Sequence, residues 1–304
     1  MDFRQISYFV ALYEEGSVTR AAQRLNVVQP AVSMQIAKLE RDLNQKLFDR
    51  LSKAMVPTVA GRTLYRLVVP VLRSLTLARG HMAKLSGVVS GRITIGMLSS
   101  LTVSFVPDML IAFARDYPEV EVAIIDGYSS TFIDLINQNQ GALDFAIINK
   151  PPRRLGLTVE PLVEERMVYV TAAARKQTDA PIEVDELQKV KLILPTQRHG
   201  LRAELNRHFA ARDISLDLQL EIDSIQGICE VVARGDWATI LPSLGVSRGI
   251  AEGRLAARAI NPPMTRQLAI IHHPHHPLTP AADAFIDRLR DHIGKAVGHE
   301  DHGG

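Results

Sequence analysis

The amino-acid sequence predicts a mixed fold: an N-terminal all-α winged helix-turn-helix domain, a long linker helix and a C-terminal two-lobed α/β domain. Within residues 17–43, apolar residues recur at helical spacing on both sides of a short break. Within residues 59–90 the apolar positions alternate steps of four and three, and from residue 91 short apolar strands alternate with amphipathic helices. These periodicities predict the three parts in this order.

Charge is unevenly distributed along the chain. Residues 1–90 contain 13 Lys and Arg against 6 Asp and Glu, a net of +7, whereas the remaining residues have a net of −5. Residues 59–90 hold five basic residues and no acidic one. A basic segment attached to an acidic remainder is typical of a protein that binds nucleic-acid phosphates.

Cysteine usage and hydropathy point to a cytoplasmic protein. Cys229 is the only cysteine, so no intramolecular disulfide can form and a reducing compartment is expected. No stretch approaches the roughly 18 apolar residues of a membrane span. The sequence does not begin with basic residues followed by an apolar run, so no signal peptide is expected.

The N-terminal helix pair has start and stop signals in the expected places. Ser17 predicts an N-cap, Asn26 tolerates the left-handed backbone of a helix end, and Pro30 suits the first turn of the second helix. The apolar stripe of the second helix consists of Val32, Ile36, Leu39 and Leu43. Such a pair is typical of the helix-turn-helix, whose second helix enters the DNA major groove. Any surface helical hairpin shows a similar stripe, so the flanking chain has to decide.

Polar side chains off that stripe are the candidate DNA contacts. They are Gln29, Ser33, Gln35 and Lys38. Their amide, hydroxyl and ammonium groups can reach base edges and phosphates. Residues 2–15 predict an opening helix that packs on the pair. Residues 49–53 form a polar basic loop, in which Arg50 and Lys53 predict a wing against the DNA backbone; an ordinary solvated loop is the alternative.

Thr58 predicts the N-cap of a long helix that runs to about Ser86. Its apolar seam consists of Leu64, Val68, Val71, Leu75, Ala78, Met82 and Leu85. A seam with this spacing is expected where one helix packs along another, so the simplest interpretation is a dimerisation helix. Packing on its own chain is the alternative. Pro70 should kink or split the helix, and residues 87–91 form a hinge.

The remaining chain predicts two similar α/β lobes joined by crossing segments near residues 162 and 265. We expect a DNA-binding domain over 1–58, a linker and hinge over 59–90, and the α/β domain over 91–298. Lobe I covers about 91–161 and 268–298, and lobe II about 162–267. Ligands of open α/β sheets bind at the carboxyl ends of strands beside helix N-termini, which predicts a site in the cleft between the lobes.

The chain resembles the LysR-type transcriptional regulators over essentially its full length. The resemblance rests on residues 1–58 with the following glycine: the segments SVTRAAQRL, QPAVSMQIAKLE, LNQKLFDR and TVAG correspond to the family pattern. It implies a winged N-terminal domain, a dimerising linker helix and a two-lobed effector domain similar to periplasmic solute-binding proteins. It also implies a homotetramer, as a dimer of dimers, on double-stranded operator DNA, with RNA polymerase as a further partner.

The resemblance assigns DNA contacts by position. Gln29, Pro30 and Ser33 fall where the recognition helix meets bases, Thr19 and Lys38 near phosphates, and Arg50 in the wing. The sequence departs from the family at Met34, where arginine is usual, and at Val28, where a small polar residue is usual. Both departures change how the operator is read without changing the prediction of DNA binding.

The resemblance also places a small-molecule effector between the lobes. The candidate contacts are Ser99, Ser100, Thr102, Asn149, Thr196, His199 and Ser224. Hydroxyls and amides at helix N-termini suit a carboxylate or a similar small polar ligand, whereas plain N-capping is the alternative for each of them. Residues 193–202 (ILPTQRHGLR) resemble the subgroup that contains nitrogen-assimilation regulators.

Nothing in the sequence predicts an enzyme, a cofactor or a metal. The histidine run at 272–276 follows a strand and lacks a nearby carboxylate or cysteine, so it does not secure a metal geometry. There is no glycine-rich phosphate loop and no nucleophile elbow. A ligand-responsive transcription factor is therefore favoured over the alternative, a small-molecule-binding or enzymatic α/β protein with an N-terminal helical assembly module.

Overall fold

The computed structural model describes residues 1–51, 54–138, 142–153, 155–175, 180–216 and 218–300. The N-terminal domain begins with the three predicted helices: α1 (Phe3–Glu15), α2 (Val18–Arg24) and α3 (Gln29–Leu43). Apolar faces of all three enclose one small core that includes the fully buried Phe9 and Leu39. The periodic apolar residues of the sequence therefore pack these three helices together.

Local capping explains where these helices begin and end. Asp2 and Gln5 form a reciprocal capping box at the start of α1, and Gly16 ends it with φ 60°. Asn26 adopts the predicted left-handed backbone with φ 53°. Ser17 occupies the N-cap position of α2, but its hydroxyl does not make the predicted capping bond.

The predicted wing is a two-stranded antiparallel hairpin, β1 (Phe48–Leu51) and β2 (Ala54–Pro57). The sequence predicted a polar loop over residues 49–53, whereas residues 48–51 and 54–57 are extended and paired. Arg50 lies in β1, whereas Lys53 lies outside the described residues.

The linker helix α4 (Val59–Leu85) is continuous through Pro70, so the alternative that the proline splits it is wrong. Thr58 caps it as predicted, since its Oγ1 accepts from the amide of Gly61 at 3.0 Å. The predicted seam has two parts. Val68 is buried in the N-terminal core, whereas Met82 and Leu85 are 65% and 81% exposed.

Lobe I is built around three parallel strands, β3 (Gly91–Leu98), β4 (Val120–Gly127) and β5 (Phe145–Asn149), with β3 in the middle. Its helices are α5 (Ser99–Thr102), α6 (Val106–Asp116) and α7 (Ser129–Asn137), and the closing helix α11 (Pro280–Glu300) packs on the same sheet. The parallel order of these strands agrees with the predicted strand–helix alternation.

Two long antiparallel strands extend the sheet. They are β6 (Thr158–Ala172) and β12 (Thr265–His272). The first half of β6 pairs with β12 in lobe I, and its second half pairs with strands of lobe II. The chain therefore crosses between the lobes within a single strand, close to one of the two predicted crossing points.

Lobe II contains β7 (Ile182–Glu183), β8 (Ile193–Leu194), β9 (Leu220–Glu221), β10 (Thr239–Pro242) and β11 (Leu255–Asn261). Its helices are a 3₁₀ turn (Val184–Lys189), α8 (Gly200–Ala210), α9 (Ile225–Arg234) and α10 (Ser243–Ala251). The apolar alternation typical of a strand is weak in β11, and β9 is only two residues long. Strands β8 and β9 run parallel, so their carboxyl ends meet at one edge.

Candidate DNA-binding surface and interlobe cleft

The recognition helix α3 presents a polar face to solvent. Val32, Ile36 and Leu39 are buried in the domain core, which leaves the opposite side of the helix exposed. The predicted contact residues that are exposed there are Gln29, Pro30, Ser33 and Lys38. Gln35 is half-buried at the edge of this face.

Side chains at the start of α3 are held by the preceding helix. The side-chain nitrogen Nε2 of Gln29 donates to the hydroxyl of Thr19 on α2, so two predicted contact residues lie together. Lys38 is exposed, and its charge acts on Asp42 one turn further along α3 without a direct ion pair in the described part of the chain, so it can also reach a phosphate.

The two departures from the family pattern are both on the outside of α3. Val28 at its N-cap is 70% exposed and makes no side-chain capping bond, and Met34 is 63% exposed. Exposed apolar side chains on a recognition helix can contact the C5 methyl of thymine.

Five strands end at the cleft between the lobes. The carboxyl ends of β3, β4 and β5 come from lobe I, and those of β8 and β9 from lobe II. Tyr128 directly follows β4. Its contacts with lobe II join these two groups of strand ends. Its hydroxyl donates to Asp223 at 3.2 Å, and its ring lies edge-on to His199 with centroids 5.4 Å apart. At the predicted position of the cleft, Tyr128 of lobe I therefore faces Asp223 and His199 of lobe II.

The predicted lobe I residues Ser99 and Thr102 face a carboxylate of their own chain. The hydroxyl of Ser99 donates to Asp126 at 2.5 Å, and that of Thr102 donates to the same carboxylate at 3.0 Å. Asp126 follows Ile125 at the end of β4 and is itself exposed. These hydroxyls thus surround an acceptor that the sequence analysis did not select.

The predicted residues Ser100 and Asn149 are buried beneath the cleft and contact Arg266. The guanidinium donates to the Ser100 hydroxyl at 2.9 Å and to the Asn149 side-chain oxygen at 3.4 Å. The same guanidinium pairs with Glu165 at 2.7 Å, and both charged side chains are almost fully buried. Ser100 and Asn149 are therefore held in place by a cation whose charge is already compensated.

On the lobe II side, Asp223 is the acceptor. The amide of Thr196 donates to its carboxylate at 2.9 Å, and the bonds from Thr196 and Tyr128 hold the pKa of Asp223 below its ordinary value. Ser224 is exposed and caps α9 by accepting from Gly227 at 3.1 Å, which is the alternative that the sequence analysis left open for it.

His199 is buried at the N-cap of α8, where its Nδ1 accepts from the amide of Leu201 at 3.1 Å. Burial lowers the pKa of the imidazole, so it is neutral at physiological pH. With Nδ1 as the acceptor, the proton resides on Nε2. The nearby Arg202, also buried, is used within lobe II, where it binds Glu221 and the carbonyl of Pro195.

The sequence analysis missed the acceptors of the cleft. Asp126 is the penultimate residue of β4, Tyr128 directly follows that strand, and Asp223 follows β9 as closely as Thr196 follows β8. Applying the strand-end rule to every strand would have found them. The pair of Arg266 and Glu165 had no such signal, because it depends on the register between β6 and β12.

Cys229 and the histidine run take no part in these sites. Cys229 lies in the core of lobe II, and burial raises the pKa of its thiol to about 11. Among the described residues, no group of three or more His, Cys, Asp and Glu is arranged to hold a metal ion. Within the same described ranges, no helix has the length and apolar composition needed to cross a membrane.

Comparison with known proteins identifies the family. The family described as "Bacterial regulatory helix-turn-helix protein, lysR family" matches residues 3–62, and the "LysR substrate binding domain" matches residues 86–294. This chain belongs to the LysR family. The full-length resemblance inferred from the sequence is therefore confirmed, and the protein is a transcriptional regulator, not an enzyme.

Similar proteins support this assignment over the whole chain. The LysR-type regulator is 29% identical to the nitrogen assimilation regulatory protein nac of Klebsiella aerogenes, over 95% of this chain and 94% of that protein. Its fold is similar to a full-length OxyR variant from Pseudomonas aeruginosa, with TM-score 0.72, 23% identity and coverage of 95% and 98%. It is also similar to full-length CbnR complexed with its target DNA, with TM-score 0.63, 20% identity and coverage of 96% and 100%.

Proposed function

We propose that this LysR-type regulator binds its effector among the strand ends of the interlobe cleft and reads its operator with the exposed face of α3. The observation that carries the proposal is the contact of Tyr128 with both Asp223 and His199, which spans the two lobes. A ligand that enters between these residues would change the distance between the lobes, and the lobes are continuous with the linker helix. Ser99, Thr102, Thr196 and His199 are the proposed effector contacts, whereas Ser100 and Asn149 support them from below.

The proposed DNA contacts are Thr19, Gln29, Pro30, Ser33, Gln35, Lys38 and Arg50, with Lys53 on the wing. The proposed assembly is a dimer of dimers. The exposed Met82 and Leu85 support pairing through the second half of α4, because apolar side chains in a heptad seam are otherwise left in water. A regulator of this kind acts on chromosomal DNA in the cytoplasm, together with RNA polymerase.

A thermal-shift screen of metabolites on the full-length protein tests the site. Gly200 opens α8 at the cleft, where an added Cβ would lie 3.2 Å from the side-chain nitrogen of Asn149. Gly200→Leu should therefore fill the cleft and abolish the shift caused by any effector. Gly156→Leu is the matched control, since a Cβ there meets no atom within 4 Å. A shift that survives in Gly200→Leu would move the effector site elsewhere.

A further inference from the structure

We infer that the effector presents an ammonium or similar cationic donor group to Asp126 and Asp223, and not a carboxylate to the helix N-termini. This inference rests on the proposed cleft and names the chemical class of its ligand. Three observations carry it: four polar donors of the cleft already bind these aspartates, the buried cation is compensated, and the charges of both aspartates act on a neutral histidine.

Four donors at the strand ends already bind carboxylates of the protein. Asp126 accepts from the hydroxyls of Ser99 and Thr102 at 2.5 and 3.0 Å. Asp223 accepts from the Thr196 amide at 2.9 Å and from the Tyr128 hydroxyl at 3.2 Å. To use these four donors, an anionic ligand would have to displace one of the two aspartates. It would also meet the repulsion of the carboxylates, which rises as water is excluded.

Arg266 does not offset this negative charge. Its Nε and Nη2 both bind Glu165, at 2.8 and 2.7 Å, and its remaining bonds go to Ser100 and Asn149. The two charged side chains are 2% and 0% exposed, so the pair is neutral overall and cannot turn toward the cleft without leaving Glu165 unpaired.

His199 provides an independent indication of a ligand. The residue is only 9% exposed, and the charges that act on its imidazole come from Asp223, Arg266 and Asp126. The imidazole is neutral, and its Nε2 has no hydrogen-bond partner among the described residues. Among the described residues, Nε2 is not one of the buried polar atoms that lack a partner, so it remains accessible to water or to a ligand. It would donate to an acceptor carried by the ligand beside the ammonium group.

Among the residues that the structure describes, Asp126 and Asp223 form no ion pair, and His199 lies near both as a neutral donor. An ammonium group between Asp126 and Asp223 would bridge the lobes through charge-assisted hydrogen bonds, which are the stronger class. A bridge between the lobes is also what a signal to the linker helix requires. A ligand with one ammonium and an adjacent hydroxyl or carbonyl oxygen satisfies all three side chains.

Thermal shift and calorimetry with matched probes test the class on the full-length protein. The probes are ethanolamine, glycinamide and 1,3-diaminopropane, set against glycolate, malonate and propionate. We expect the amines to raise the melting temperature and the carboxylates to leave it unchanged. Asp126→Asn and Asp223→Asn should each weaken amine binding by about tenfold, as expected for loss of a charged hydrogen-bond partner. Asp236→Asn, which alters a surface aspartate paired with Lys191, is the matched control.

The outcomes separate this inference from the proposed site. If carboxylates bind and the two asparagine variants bind them more tightly, the cleft is the site but the ligand class is wrong. The class is equally overturned if no amine shifts the melting temperature, or if amine binding is unchanged in both asparagine variants. If amines shift it and Gly200→Leu does not reduce that effect, the cleft itself is wrong. Circular dichroism of each variant establishes that its fold is intact.

Discussion

Arg266 and Glu165 form a buried ion pair in direct register across the antiparallel strands β12 and β6, with Nη2 2.7 Å from Oε2. Glu165 also accepts from the amide of Leu244 at the start of α10, and Arg266 reaches Ser100 at the start of α5. The pair therefore ties the two crossing strands to one helix from each lobe at the base of the cleft. Both charged groups make further hydrogen bonds besides the ion pair, which is the condition under which a buried pair is tolerated.

Removing one partner of this pair should be strongly destabilising. Arg266→Met leaves the Glu165 carboxylate buried without its cation, which costs about 3–5 kcal/mol of unfolding free energy. Replacing both residues, as Glu165→Leu with Arg266→Met, should recover much of that loss because no buried charge remains. Trp237 is the only tryptophan and lies against the lobe II core, so its fluorescence reports urea unfolding. Equal or greater loss in the double variant would contradict this account.

Gly61 should tolerate no side chain. It lies in the first turn of α4, where an added Cβ would overlap the carbonyl of Leu47 in the backbone. Gly61→Ala should destabilise the N-terminal domain by about 1–3 kcal/mol, the usual cost of overpacking. Gly294→Ala is the control in an exposed part of α11, where the new Cβ meets no atom and should add up to about 1 kcal/mol of stability. Thermal unfolding followed by circular dichroism measures both, and equal effects would refute the packing argument.

His199 should make stability depend on pH in a mildly acidic window. Burial lowers its pKa in the folded state, so below about pH 6.5 the unfolded chain binds a proton that the folded chain does not. The free energy of unfolding therefore rises with pH through this window and falls as pH is lowered through it, with no further change from this group once the folded-state imidazole is also protonated. His199→Asn keeps an N-cap side chain but does not titrate. Between about pH 8 and 5.5 the urea midpoint should fall more in the wild type than in the variant; parallel curves would exclude this role.

Lys38 and Met34 should change the salt dependence of operator binding in opposite directions. Lys38→Gln removes one phosphate contact. The negative slope of log K against log salt should therefore become about 0.9 less steep. Met34→Arg adds a cation to the exposed face of α3. The slope should become steeper by a similar amount, and the base preference should change. Gel shifts on the gene's own upstream DNA over a range of salt concentrations measure both. Lys189→Gln, an exposed lysine of lobe II, should leave the slope unchanged.

Short-range features of the fold were predictable from the sequence. Thr58, Gly16 and Asn26 mark helix ends because capping and left-handed backbone depend on a few neighbouring residues. The wing was predicted, but its two strands were not, because each is only four residues long and the sequence between them is polar. Pro70 does not split α4, since a helix that packs against other elements can tolerate the loss of one hydrogen bond.

The sequence by itself determined the order of the parts, the polar face of α3 and the basic charge of the N-terminal segment. These follow from residue type and periodicity, which need no knowledge of distant contacts. Only the tertiary structure decided the chemistry of the cleft. Asp126 and Asp223 are separated by almost a hundred residues, and Arg266 and Glu165 by more than that. Strand pairing and the crossing of β6 bring them together, so the charge that a ligand meets is a property of the fold.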